Sequence, residues 1–389
     1  MGSAPSNHIQ FDPYLPLQSP RLRLQQSDFH DPHAKQQTYN RSKTKIIHCG
    51  FHGIWSQYVP NCVCPAPRSG HFSCYSDDMH TLFIGYGTSY KKELLNDVWA
   101  LDCVQKKWTQ LNLSGEIVSP RTGACAFYND NKIIVFGGVA DSVYYSELHS
   151  IDLETGFVYH IQTTGLEPSP RMTPIFFMHD SKIFVWGGYN DQWPNELNVL
   201  DLKTMHWEQI QQTITGRTAV PFIKYNNRIY SFGCCKNSNL LVIDPDKYTI
   251  TEIPTYGSQP SFSTIGAGMT LVDHFALFFG GKAASEYALL YACDLEKATW
   301  FVFYVVPDNE SVTQSDGMIS ELGMFLIPRK ANYSLVYEPL TQEIIFTLGL
   351  PELAPPPLSI INISNALAHL HHRDDMCSIL QFKNNRNSM

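Results

Sequence analysis

The sequence predicts an all-β protein in which one supersecondary unit is copied in series, and three observations carry that prediction. Short apolar runs end on glycine or a close substitute at residues 87, 138, 188, 234 and 281, at intervals of 51, 50, 46 and 47. Each run is followed by a second apolar stretch that stops on an acid: Asp102, Asp152, Asp201, Asp244 or Asp294. Six residues beyond each acid stands a large apolar side chain: Trp108, Val158, Trp207, Ile250 or Trp300. A period of this length marks serial copies of one unit, each too small to bury its apolar face alone.

Within a copy the elements follow a fixed order. Pro67-Arg68, Pro120-Arg121, Pro170-Arg171 and Gly216-Arg217 open the first four. A first strand and a polar turn follow, such as Asn129-Asp130-Asn131. The central strand comes next, for example Ile133-Ile134-Val135-Phe136 before Gly137-Gly138. An unbroken apolar run needs cover on both faces, which places it inside a stack of sheets. Paired glycines permit positive φ and close approach of neighbouring backbone. The recurring tryptophan is bulky enough to fill a gap between adjacent sheets. Four short segments per copy, separated by turn residues, describe a four-stranded antiparallel sheet.

Four apolar residues, a Gly-Gly doublet and a tryptophan at a set distance resemble the kelch repeat over roughly residues 67 to 304. A worn sixth copy runs through Leu326-Ile327-Pro328, Tyr333 to Glu338 and Ile344 to Thr347, and we read it as lacking both glycines. The resemblance implies a six-bladed β-propeller over residues 45–351. Its alternative is a seventh blade shared between residues 45–60 and 358–364. An open ring would expose sheet faces and edges. Gly53 to Pro60, with its own Trp55, is therefore expected to complete the last blade.

The ends read differently. Residues 1–44 are rich in Pro, Gln, His and Ser without apolar periodicity, and are expected to be a disordered polar tail. Gly2 fits the loose N-myristoylation pattern, which chance also produces often. Residues 352–389 are expected to form a Pro-rich linker, a short helix capped by Ser364, and a polar tail. His369, His371 and His372 in that helix read as a polar face rather than metal ligands. No secretory signal and no apolar run of membrane-spanning length occur, so stable membrane insertion is not expected. A net charge of −8 gives no footprint for nucleic acid. Ten cysteines without a CxxC pair suit a reduced, cytoplasmic or nuclear protein.

Catalytic motifs are missing as well. Kelch-like enzymes include copper radical oxidases, iron-dependent plant specifier proteins and sialic-acid mutarotases. Neither a copper-ligand arrangement nor the Glu-x3-Asp-x3-His triad is found here, and no cofactor is expected. The resemblance implies instead a non-catalytic scaffold that binds a partner protein or peptide through its loops. A substrate-recruiting adaptor of a ubiquitin-ligase or GTPase system is the second reading, and a small-ligand or enzymatic channel the third. Candidate contacts are Tyr90, Tyr144, Tyr189, Asn190, Asp191 and Trp193, since Tyr and Trp bury much area with few rotors. The entry arginines Arg68, Arg121, Arg171 and Arg217 form a second set, suited to acidic peptides unless each clamps a neighbouring blade's acid.

Overall fold

The computed structural model describes residues 52–366, except 236, 322 and 365. The tail, the acylation pattern, the C-terminal histidines and most of the expected helix lie outside these residues. The fold is an all-β propeller. Each of the first five copies becomes four antiparallel strands in sequence order, and in the second, third and fifth a two-residue strand adds in parallel at the outer edge. The first blade pairs Phe72–Ser76, Thr81–Gly85, Val98–Asp102 and Lys107–Gln110. The second holds Cys125–Asn129, Lys132–Phe136, Leu148–Asp152 and Phe157–His160. The third runs from Ile175–His179 to His206–Ile210, the fourth from Phe222–Tyr225 to Thr249–Ile253, and the fifth from Ala267–Val272 to Thr299–Phe303. Thr81–Gly85 and Phe275–Gly280 are buried along their whole length, as a doubly covered central strand must be.

The last blade is completed from the other end of the chain. Gly53–Tyr58 pairs antiparallel with Leu358–Asn362, which follows Glu343–Thr347 and Ser334–Glu338 in the same sheet. The two segments that a seventh blade would have shared thus lie in one sheet with the sixth copy. Three expectations change here. The propeller extends past residue 351, because Leu358–Asn362 is a buried strand behind the prolines rather than linker. Phe325–Pro328 pairs outside the blade, with Tyr287–Ala288 and Met318–Ile319. The sixth copy also keeps one glycine, since Leu348-Gly349 takes positive φ where the other copies carry their doublets.

Adjacent blades are joined by the large side chain on the fourth strand of each blade. Trp108 packs with Ile345 and Leu358 of the closing blade, Trp207 with Phe136 and Leu148, and Trp300 with Phe232 and Leu240. Val158 and Ile250 occupy the same place with smaller volume. Trp55 does so from the N-terminal strand, against Leu277 and Phe279 of the fifth blade. The recurring acid has a local cause. Asp102 Oδ1 accepts the N–H groups of Val104 and Gln105 at 2.9 and 2.7 Å, and Asp152, Asp201 and Asp294 repeat this, closing the last turn of each blade.

The glycine doublets hold the blades together through backbone. The second doublet residue donates its N–H to the carbonyl of the next blade's entry residue: Gly87 to Arg121, Gly138 to Arg171, Gly188 to Arg217, Cys234 to Thr264 and Gly281 to Lys330, at 2.7–3.0 Å. A Cβ on Gly137 would lie 2.6 Å from the Arg171 carbonyl oxygen, and one on Gly187 2.5 Å from that of Arg217. A side chain there would push the two blades apart.

Candidate functional site

The four entry arginines are not surface contacts. Arg68, Arg121, Arg171 and Arg217 are at most 3% exposed. Each meets an acid of its own blade, which corrects both expectations for this set, partner binding and clamping of a neighbouring blade. Arg68 forks onto Asp97 with bonds of 2.6 and 2.8 Å. Arg121 reaches Glu147 at 2.9 Å, and Arg171 and Arg217 donate to Glu196 and Glu252. The same guanidinium groups donate to the carbonyls of Tyr86, Gly137, Gly187 and Gly233, the first residues of the doublets. Burial works against the Asp97 charge, but the hydrogen bonds and charge of Arg68 outweigh it and hold the carboxyl below its ordinary value. A planar five-donor cation suits this position because it satisfies carboxylate and carbonyl together. The acids had a sequence signal: in the first three blades they stand immediately before the third strand, at Asp97, Glu147 and Glu196.

The aromatic candidates do come together. Tyr144 ends the hairpin Val139–Ala140 with Val143–Tyr144 on the second blade, while Tyr189 and Trp193 lie on the third-blade loop. The Tyr144 and Tyr189 rings are 6.3 Å apart and those of Tyr189 and Trp193 5.4 Å, both edge to face. The Tyr144 hydroxyl donates to Asp191 Oδ1 at 3.2 Å. Desolvation and the Asp191 carboxylate both raise the Tyr144 phenol above its ordinary pKa. Tyr189 is fixed from below by two 3.0 Å backbone bonds with Met172, and Asn190 by Ser169 Oγ at 3.1 Å. Trp193 is 51% exposed, and Val143, which sequence reasoning passed over, is 56% exposed. The result is an aromatic face spanning two blades and held by the scaffold beneath. Tyr145 is half-buried and packs on an entry arginine instead, with the Arg121 guanidinium carbon 3.7 Å from its ring centre. Tyr90 is exposed on the first-blade loop, beside Lys91.

One group of metal-type side chains occurs elsewhere among the described residues. His179, Asp180 and Asp246 bring their ligand atoms within 4.8 Å of one another. His179 Nε2 is hydrogen-bonded to Asp246 at 2.9 Å and its buried Nδ1 has no partner. A metal-binding imidazole usually donates its second N–H, so this trio fits a His–Asp hydrogen bond better than a metal centre. No helix among the described residues is long and apolar enough to cross a membrane.

Comparisons with known proteins agree with the repeat. The family model described as the KLHDC2/KLHL20/DRC7 Kelch-repeats domain matches residues 46–233 and 178–318. The chain is 30% identical over 117 residues to Kelch domain-containing protein 2 of Bos taurus, covering 29% of this chain and 27% of that protein. It is 30% identical over 76 residues to dynein regulatory complex subunit 7 of Chlamydomonas reinhardtii, covering 20% of this chain and 7% of that protein. It is 35% identical over 78 residues to the tRNA wybutosine-synthesizing protein 2/3/4 of Oryza sativa subsp. japonica, again 20% of this chain and 7% of the relative. The matched stretches thus cover far less than two thirds of these relatives' lengths. With the family model matching well over half of its residues, and with blades built on glycine doublets and inter-blade tryptophans, the chain belongs to the kelch-repeat family.

Proposed function

We propose that this protein is a non-catalytic interaction module that captures a partner protein or peptide on the aromatic face of its second and third blades. The observation that carries the reading is the Tyr144–Tyr189–Trp193 cluster, in which two half-buried tyrosines ordered by backbone and side-chain bonds support an exposed tryptophan. Rigid aromatic groups offer large contact area with little ordering cost on binding. Loops on a fixed β-scaffold are where such contacts belong. The same reading puts the protein in the cytoplasm or nucleus, which imaging of a tagged chain tests.

The experiment is proximity labelling in cells with the wild type and with a Tyr189→Ala/Trp193→Ala variant whose melting temperature matches it. Proteins enriched by the wild type and lost with the variant support the reading. An unchanged set of labelled proteins refutes it.

A further inference from the structure

Arg329 breaks the rule that the entry arginines obey. In the first four blades each buried guanidinium has a carboxylate of its own blade. Arg329 lies at the junction of the fifth and closing blades, one residue before the entry position. Its partners are backbone carbonyls: Ser285 at 2.7 Å through Nε, Gly280 at 3.3 Å and Tyr287 at 3.0 Å through the two terminal nitrogens. Among the described residues no carboxylate forms an ion pair with it. Three acceptors leave two of its five N–H groups available. The side chain is partly buried, and that burial lowers its pKa.

Beside it is space. A cavity of about 190 Å³ is lined by Arg329 together with Phe278, Tyr287, Tyr291, Leu326 and Thr264. The walls combine aromatic and aliphatic side chains with the polar residues Thr264 and Ser285, and Arg329 is the one charged side chain among the lining residues. This is the composition of a small-molecule site, an apolar pocket with a few polar groups that fix orientation.

We propose that this cavity binds a small organic monocarboxylate with an apolar or aromatic body, its carboxylate on the two free N–H groups of Arg329. A planar fork matches a carboxylate with two parallel bonds. One cation balances one negative charge, and walls of this kind disfavour a strongly hydrated phosphate dianion. The volume suits a body the size of benzoate. This site is separate from the aromatic face of the second and third blades and does not depend on it.

The test is calorimetric titration of the full chain with benzoate and with benzamide, which has nearly the same shape but no charge. Benzoate should bind saturably at one site, with benzamide at least about tenfold weaker. Arg329→Met should weaken benzoate by a similar factor. Leu326→Trp, which fills the cavity and leaves the guanidinium in place, should do the same and decides the matter if Arg329→Met fails to fold. Absence of saturable benzoate binding to the wild type overturns the proposal. So does benzamide binding as tightly as benzoate, or benzoate binding undiminished in Leu326→Trp or a folded Arg329→Met.

Discussion

Gly349 donates its N–H to the carbonyl of Arg68 at 2.8 Å, and this bond joins the last blade to the first. It is the sixth member of the series that runs from each doublet to the next entry residue, so the ring closes through backbone as well as through side chains. The geometry leaves no space for a side chain. Gly349 sits at φ +73, and a Cβ there would meet Tyr333 Cβ at 2.4 Å and the Ala331 carbonyl oxygen at 2.6 Å. Gly349→Val is therefore expected to cost about 2–4 kcal/mol, from the strained φ and the displaced backbone together. Urea unfolding of wild type and variant measures it, and a loss within half of that range's lower bound would show that the closing seam yields.

Closure also depends on the N-terminal strand. Trp55 is 1% exposed, its ring centre is 6.0 Å from that of Phe325, and its strand covers the edge of Leu358–Asn362. Trp55→Ala should destabilise the fold by about 3–5 kcal/mol, the usual result of emptying a large aromatic site in a core. Truncation of residues 1–60 should lower the melting temperature further, because it also leaves a strand edge unpaired. A truncated chain that melts with the wild type would mean that the ring holds without this strand.

Much of this was legible in the sequence because the repeat is written in residues with strict steric roles. Glycine doublets, turn acids and inter-blade tryptophans recur since each solves a local problem that does not depend on the partner. Gly349 and Leu358–Asn362 were harder to see, because the sixth copy replaces the first doublet residue with Leu348 and sets its third strand behind a run of prolines. The arginines show a different limit. Their spacing was visible, but spacing does not report burial, and the acids that neutralise them lie 25 to 35 residues further along the chain. The aromatic cluster was visible as composition and became a site only when the propeller set two loops side by side.

The arginine pairs carry a prediction of their own. Arg171 is fully buried, and removing it would leave Glu196 partly buried without its cation and the Gly187 carbonyl without its donor. Arg171→Met should cost about 3–5 kcal/mol, as breaking a buried pair by deleting one partner generally does. Arg171→Glu should prevent folding outright, which circular dichroism and gel filtration of the purified chain will show. A charge reversal that folds and melts like the wild type would return this residue to the list of partner contacts.

Lys330 gives the molecule a stability term of the opposite sign. It holds the entry position of the closing blade, where the first four blades carry arginine. It is 7% exposed, and its Nζ donates to the Pro351 carbonyl at 3.0 Å with no carboxylate in ion-pair range among the described residues. Burial lowers its pKa from 10.5 to about 8. Between those two values the unfolded chain retains a proton that the folded chain has released, so stability rises with pH across that window. Below about pH 8 both states are protonated, and the full cost of a buried ammonium weighs on the fold. Lys330→Met should therefore be more stable than the wild type near neutral pH, by up to about 3 kcal/mol less about 1 kcal/mol for the lost hydrogen bond. The advantage should shrink as pH approaches 10.5, because the wild type then buries a neutral amine. Urea unfolding of both proteins at several pH values from 7 to 10 tests this, since other titrating groups cancel in the difference. A gap that stays constant with pH would show that the amine keeps its ordinary protonation in the folded chain.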